Sequence, residues 1–274
     1  INATRLFSCL YGVTLNVGRV QTPTLALLVE REAGIAAFVK EPFYTPTLAL
    51  HSFTASGEKL KDRAAADAIC STCDGKEAVV RKIKRQNENT APPKLYDLTT
   101  LQREANRLFG YTAQQTLDYT QSLYEKKLCT YPRTDSRFLT EDMASGIPAL
   151  ASAVAGKLTF LPTGLSLPVD AGQVINNSKV TDHHAIIPTP IAGKADLDML
   201  PAGERNILYL LAVRLLCAVG EKHNYAETVV TVECAGHSFT AKGRAILREG
   251  WKSVEQAFRI SLKSKPEEDS PDAA

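Results

Sequence analysis

Long hydrophobic runs are missing from this chain: nothing in its 274 residues stays apolar for the length of a membrane span. The opening residues also lack the basic-then-apolar order of a secretory signal. Charge of one sign is scarce, with a net of only +2, so bulk charge gives no preference for polyanions. Cysteine is too sparse for a disulfide scaffold, at positions 9, 70, 73, 129, 217 and 234. Cys70 and Cys73 have metal-ligand spacing. No second Cys or His pair follows at finger spacing, which argues against structural zinc. Most of the cysteines sit in apolar context and read as buried thiols of a reducing compartment, which favours the cytoplasm.

What is present suits a globular protein. A hydrophobic fraction of 44% supports one large domain or two to three modest ones. Residues 81–107 carry seven Lys or Arg against three acids, a local excess that can face nucleic acid or simply be a solvated surface. Ile1 stands at the approach to a helix, so the sequence reads as starting inside a longer chain. Residues 1–41 read as helical, with Leu25, Leu28 and Val29 at helical spacing after Pro23, and Pro42 as the stop. Strand character follows over 43–60, with one strand expected across 47–54. A helix is expected over 62–73, then an exposed strand over 77–85. An internal echo, His51-Ser-Phe-Thr-Ala and His237-Ser-Phe-Thr-Ala, suggests that two sequence-distant segments share one sheet. Residues 96–198 are then an insertion. They read as a helical hairpin, 95–109 and 113–127, a third helix opening at Thr140, and a loop over 156–178. Another helix spans 201–221, and a disordered tail is expected at the end.

Two stretches carry chemistry. Thr130-Tyr-Pro-Arg-Thr-Asp-Ser136 places a tyrosine two residues before an arginine, so both side chains can point the same way on an extended backbone. A free phenol has a pKa of about 10, and about one molecule in a thousand is phenolate at neutral pH. Such a nucleophile needs a cation, base or metal nearby. Arg133 is a fitting cation, since its planar fork grips phosphate through two hydrogen bonds. Taken alone, the stretch also fits a plain turn closing a helical hairpin. Lys179-Val-Thr-Asp-His-His-Ala-Ile-Ile-Pro-Thr189 sets two histidines on different faces, which makes them poor partners for one metal. Either can donate to a phosphate oxygen or move a proton; the plain reading is Asp182 capping a helix. Gly18-Arg-Val-Gln-Thr22 leads into a helix start, where backbone amides favour phosphate and Arg19 and Gln21 add donors. Its plain reading is Thr22 as the helix cap.

Taken in order, these segments resemble the type IA DNA topoisomerases, most closely the topoisomerase III branch. The likeness rests on Gly18-Arg-Val-Gln-Thr-Pro-Thr-Leu25, Tyr96-Asp-Leu-Thr-Thr-Leu-Gln-Arg-Glu-Ala-Asn106, Ser122-Leu-Tyr-Glu-Lys-Lys127, the Tyr131 and His183 stretches, and Gly250-Trp251. It covers about residues 1–260. The resemblance implies an α+β multidomain fold, in which a β-rich arch is split by an inserted helical domain beside part of a helical DNA-binding domain. On this chain the expected domains are 1–41 (partial helical DNA-binding), 42–95 with 199–258 (arch), 96–198 (tyrosine-bearing) and 259–274 (tail).

The resemblance also implies roles. Tyr131 attacks one DNA strand and becomes joined to a 5′ phosphate. Arg133 steadies that phosphate and His183 assists. Arg19 and Gln21 hold the single strand, with His184 and Lys179 as further contacts. Single-stranded DNA and a helicase are the implied partners of a monomer, with no membrane and no ATP, in the bacterial cytoplasm at the nucleoid. Mg²⁺ is implied as cofactor, held by an acidic domain that would precede Ile1. The chain is therefore expected to be a central fragment, inactive alone. The alternatives are a single-stranded-DNA-binding module without catalysis, or another tyrosine strand-transferase such as a relaxase or recombinase.

Overall fold

A computed structural model describes residues 2–162 and 167–263. By its internal contacts the chain divides into two compact units, Ile1–Lys82 with Val230–Ala241, and Ile83–Val229 with Lys242–Ala274.

The first unit opens with helices α1 (Asn2–Tyr11) and α2 (Gln21–Ala36), neither of which buries a residue. Thr22 does not cap α2. It lies inside the helix, and its hydroxyl accepts from the Gly18 amide at 3.1 Å. The single strand expected over 47–54 is instead a hairpin of β1 (Thr47–Ala49) and β2 (Thr54–Ser56), because the chain turns between Leu50 and Phe53. Helix α3 (Arg63–Cys73) is capped by Asp62, whose carboxylate accepts from the Ala64 amide. Three longer strands, β3 (Ala78–Thr90), β4 (His223–Cys234) and β5 (His237–Arg248), run through both units. The sheet order is β1-β2-β5-β4-β3, with Ser56 paired to Thr240. The two echoed segments therefore meet on neighbouring strands. Ala55, Cys73, Cys234 and Phe239 form the small core of this unit.

The second unit is helical. Helix α4 (Leu98–Phe109) starts at Asp97, which accepts from the Thr100 amide at 2.6 Å, and ends at Gly110 with φ 71°. Helix α5 (Ala113–Glu125) starts at a reciprocal capping box of Thr112 and Gln115. The third expected helix begins as a 3₁₀ turn, Glu141–Gly146, before α6 (Ile147–Ala155). Helix α7 (Ala202–Ala218) buries Ile207, Leu208, Leu210, Ala212, Val213 and Leu216, residues on every side of it, as a central helix must. It packs against α4, α5, α6 and α8 (Lys252–Lys263). The sequence reading grouped 199–258 with the strands; α7 belongs to the helical core instead. Likewise α8 continues five residues beyond 258, through the start of the stretch read as a tail. Residues 264–274 lie outside the described residues, as do 163–166 in the expected loop. That loop otherwise holds two short 3₁₀ turns, Ala171–Val174 and Asn177–Lys179.

Candidate active site around Tyr131

Helix α5 ends in a way that aims the following chain. Lys127 adopts a left-handed conformation, φ 59°. Its amide donates to Tyr124 O and the Leu128 amide donates to Leu123 O, both at 2.8 Å. This is the Schellman arrangement, with lysine where glycine usually stands. Leu128 and Cys129 are then buried, and the chain leaves the helix as an extended segment.

A second extended segment, 183–189, is stitched to the first. Asp182 is exposed and caps no helix, because no helix starts there. The Thr130 amide donates to Ile187 O at 3.0 Å, and the Thr189 amide to Leu128 O at 3.0 Å. The Thr130 hydroxyl donates to Ala185 O and accepts from the Ile187 amide. On its other flank the Ile186 amide donates to Tyr96 O at 2.9 Å. The Thr134 hydroxyl donates to His183 O at 2.8 Å. Side chains thus lock two segments that lie far apart in sequence. Their backbone polar groups are paired, as burial requires.

The result brings His183 against Tyr131. Their ring centroids are 4.4 Å apart at an interplanar angle of 44°. Tyr124, from the last turn of α5, meets Tyr131 edge-on at 5.5 Å and 78°. Tyr131 is half-buried and His183 exposed. After Tyr131 the chain alternates: Pro132, Thr134 and Ser136 are buried, Arg133 and Asp135 exposed. That two-residue period puts Arg133 on the outward side with Tyr131. Cys129 is no rival nucleophile, since burial pushes its thiol up to about 12 and only the thiolate attacks.

Of the other candidates, His184 is half-buried. Its Nδ1 lies 2.8 Å from Ala185 O, and a carbonyl only accepts, so Nδ1 is the donor of that bond. Lys179 is exposed, with its ammonium 5.2 Å from the Phe138 ring centroid. Arg19 and Gln21 are exposed in the first unit, where Gln21 is the first residue of α2. Among the described residues no group of three or more His, Cys, Asp or Glu side chains could hold a metal ion.

A family model described as DNA topoisomerase matches residues 1–273. The chain belongs to that family. DNA topoisomerase 3 of Bacillus subtilis is 38% identical over 270 residues, covering 93% of this chain and 36% of the relative. The Bacillus licheniformis protein of the same name matches at 38% over 270 residues with the same coverage. Full-length topoisomerase I from Thermotoga maritima shares the fold, with a TM-score of 0.65 at 24% identity, covering 95% of this chain and 42% of that one. The resemblance to type IA topoisomerases of the topoisomerase III branch is thus borne out, as is the α+β fold class. The chain spans about a third of the length of these curated relatives.

Sequence reasoning passed over three side chains of this neighbourhood. Tyr124 lies in the Ser122–Lys127 segment already quoted, and its position six residues before Thr130 gives no hint of contact across the α5 exit. Lys94 and Phe138 are the others. Lys94 sits in a basic stretch that pointed to nucleic acid only in general terms.

Proposed function

We propose that this chain supplies the tyrosine-bearing and strand-holding part of a type IA DNA topoisomerase. Tyr131 Oη attacks a phosphodiester of one DNA strand. The Oη–P bond forms while the P–O3′ bond breaks; the phenolic proton is released, and the departing 3′ oxygen is protonated. The strand end is then held as a 5′-phosphotyrosine while another strand passes, and the reverse reaction reseals it. Because the ester linkage is conserved, no ATP is required. Arg133 stabilises charge on the phosphate, and His183 donates to a phosphate oxygen or relays the proton. Arg19, Gln21, His184 and Lys179 hold the single strand. The unit carrying α4 to α8 is the tyrosine-bearing domain, the strands belong to the arch, and residues 1–41 to a DNA-binding domain. A cytoplasmic monomer working with a helicase fits this reading. Mg²⁺ ligands are expected on residues other than those described.

The observation that carries the proposal is the contact between a half-exposed tyrosine and a histidine delivered from a distant segment, with Arg133 exposed two residues on from the tyrosine. In a complete enzyme containing this chain, Tyr131→Phe is expected to abolish relaxation of supercoiled DNA while single-strand binding persists. Arg133→Ala is expected to slow cleavage by about 10²–10³. A Tyr131→Phe enzyme that relaxes DNA normally removes this tyrosine from the reaction. A 3′-linked adduct would mean recombinase-like chemistry instead.

A further inference from the structure

Two ammonium groups converge on one aromatic ring beside the Tyr131 loop. Lys94 Nζ lies 4.9 Å and Lys179 Nζ 5.2 Å from the centroid of Phe138. Three separate backbone segments create this meeting, and each is pinned. Lys94 O accepts from Arg214 Nη1 at 3.4 Å, and the neighbouring Leu95 O accepts from Arg137 Nε at 3.2 Å. Ser136 Oγ donates to Lys179 O at 2.8 Å. Phe138 O accepts from the Ala185 amide at 2.9 Å, which ties the ring to the segment that carries His183. Both lysines are exposed, and among the described residues no carboxylate stands within ion-pairing distance of either.

Like charges gathered without a counter-ion repel each other. The ring's electron-rich face offsets part of that repulsion and fixes where each ammonium sits. What remains unmatched is a local concentration of positive charge, two exposed ammonium groups held on one ring with no carboxylate paired to either. We infer that Lys94 and Lys179, arranged by Phe138, bind a backbone phosphate of the single strand on which Tyr131 acts. Lysine suits this task as a point charge that reads no sequence, so the contact positions the strand without selecting bases. The inference adds Lys94 and Phe138 to the strand-holding set and rests on the reading of Tyr131 as a DNA nucleophile.

The test is binding of a fluorescent oligothymidylate to this chain by anisotropy across a salt series. Lys94→Met with Lys179→Met keeps the apolar stems on the ring while removing both charges. It is expected to weaken binding roughly tenfold and to lower the salt slope by about 1.4, the release expected for two phosphate contacts on a single strand. Phe138→Leu keeps both charges but loses their arrangement; it is expected to cost roughly two- to fivefold with the slope unchanged. Thermal melting of each variant establishes that it is folded. Lys222→Met with Lys242→Met, removing two other exposed lysines of the same unit, serves as the charge-matched control. Equal losses in the control and in the paired variant would reduce the effect to bulk charge and overturn the inference. So would an unchanged slope in the paired variant. Formation of the Tyr131 adduct in the complete enzyme is scored separately, so an inert Tyr131 with intact lysine-dependent binding refutes the catalytic reading, not this one.

Discussion

Thr134 joins the Tyr131 loop to the histidine segment through a single hydroxyl, and it is nearly buried in doing so. Thr134→Val keeps the shape and removes the donor to His183 O. The expected loss of stability is about 1 kcal/mol by chemical denaturation. The expected loss of adduct formation is larger than that stability change alone would explain, because His183 is freed to drift from Tyr131. An adduct yield equal to wild type would show that the loop holds its geometry without this bond. Tyr131, Arg133 and His183 were legible as candidates in the sequence because each has chemistry that few surface positions need. Tyr124 was not: an aromatic in a helical stripe reads the same whether it packs in the core or against a nucleophile.

Helix ends govern the geometry one level up. Lys127 holds a left-handed backbone that costs a non-glycine residue about 1 kcal/mol. Lys127→Gly is therefore expected to raise stability by up to about that amount, read as a higher denaturation midpoint with unchanged m-value. A drop instead would mean that the lysine side chain supplies more than its backbone costs. At the start of α7, Gly203 lies so close to the Tyr119 ring of α5 that a Cβ would run into it. Gly203→Ala is expected to destabilise by about 1–3 kcal/mol, with Gly203→Ala/Tyr119→Ala recovering much of the loss. The same helix pair is tied by Glu204, whose carboxylate accepts from Ser122 Oγ at 2.9 Å and pairs with Lys126 at 2.5 Å. The α4 and α5 boundaries were readable from Asp97, Gly110 and Thr112, because caps are local. The β1–β2 turn was not, since Leu50 to Phe53 contains neither proline nor glycine.

Across the whole molecule, burial makes the helical unit sensitive to alkali. It pushes Cys129 and Cys217 up from 9.0 to about 12, and Tyr96 from 10.0 to about 12. All three are neutral when protonated. Above pH 9 the unfolded chain releases the thiol protons while the folded one keeps them. Stability is thus full below pH 9 and is lost as pH rises toward 12. The slope is about 3 kcal/mol per pH unit from the two thiols, steepening to about 4 above pH 10 when Tyr96 joins. Urea denaturation between pH 8 and 11 checks this, and Cys217→Ala is expected to flatten the slope by about a third.

The order of motifs along the chain, set by residue chemistry and local spacing, already determined the family, singled out Tyr131 as the candidate nucleophile, and indicated a helical insertion between two strand-forming segments. Tertiary structure alone decided what meets what. Hydrogen bonds across the 128–134 and 183–189 segments set His183 against Tyr131, and packing on every face drew α7 out of the strand domain into the helical core. Convergence of three pinned segments put two lysines on Phe138. Spacing along a chain constrains neighbours within a turn or a strand, whereas contacts between distant segments are chosen by the burial of the whole unit.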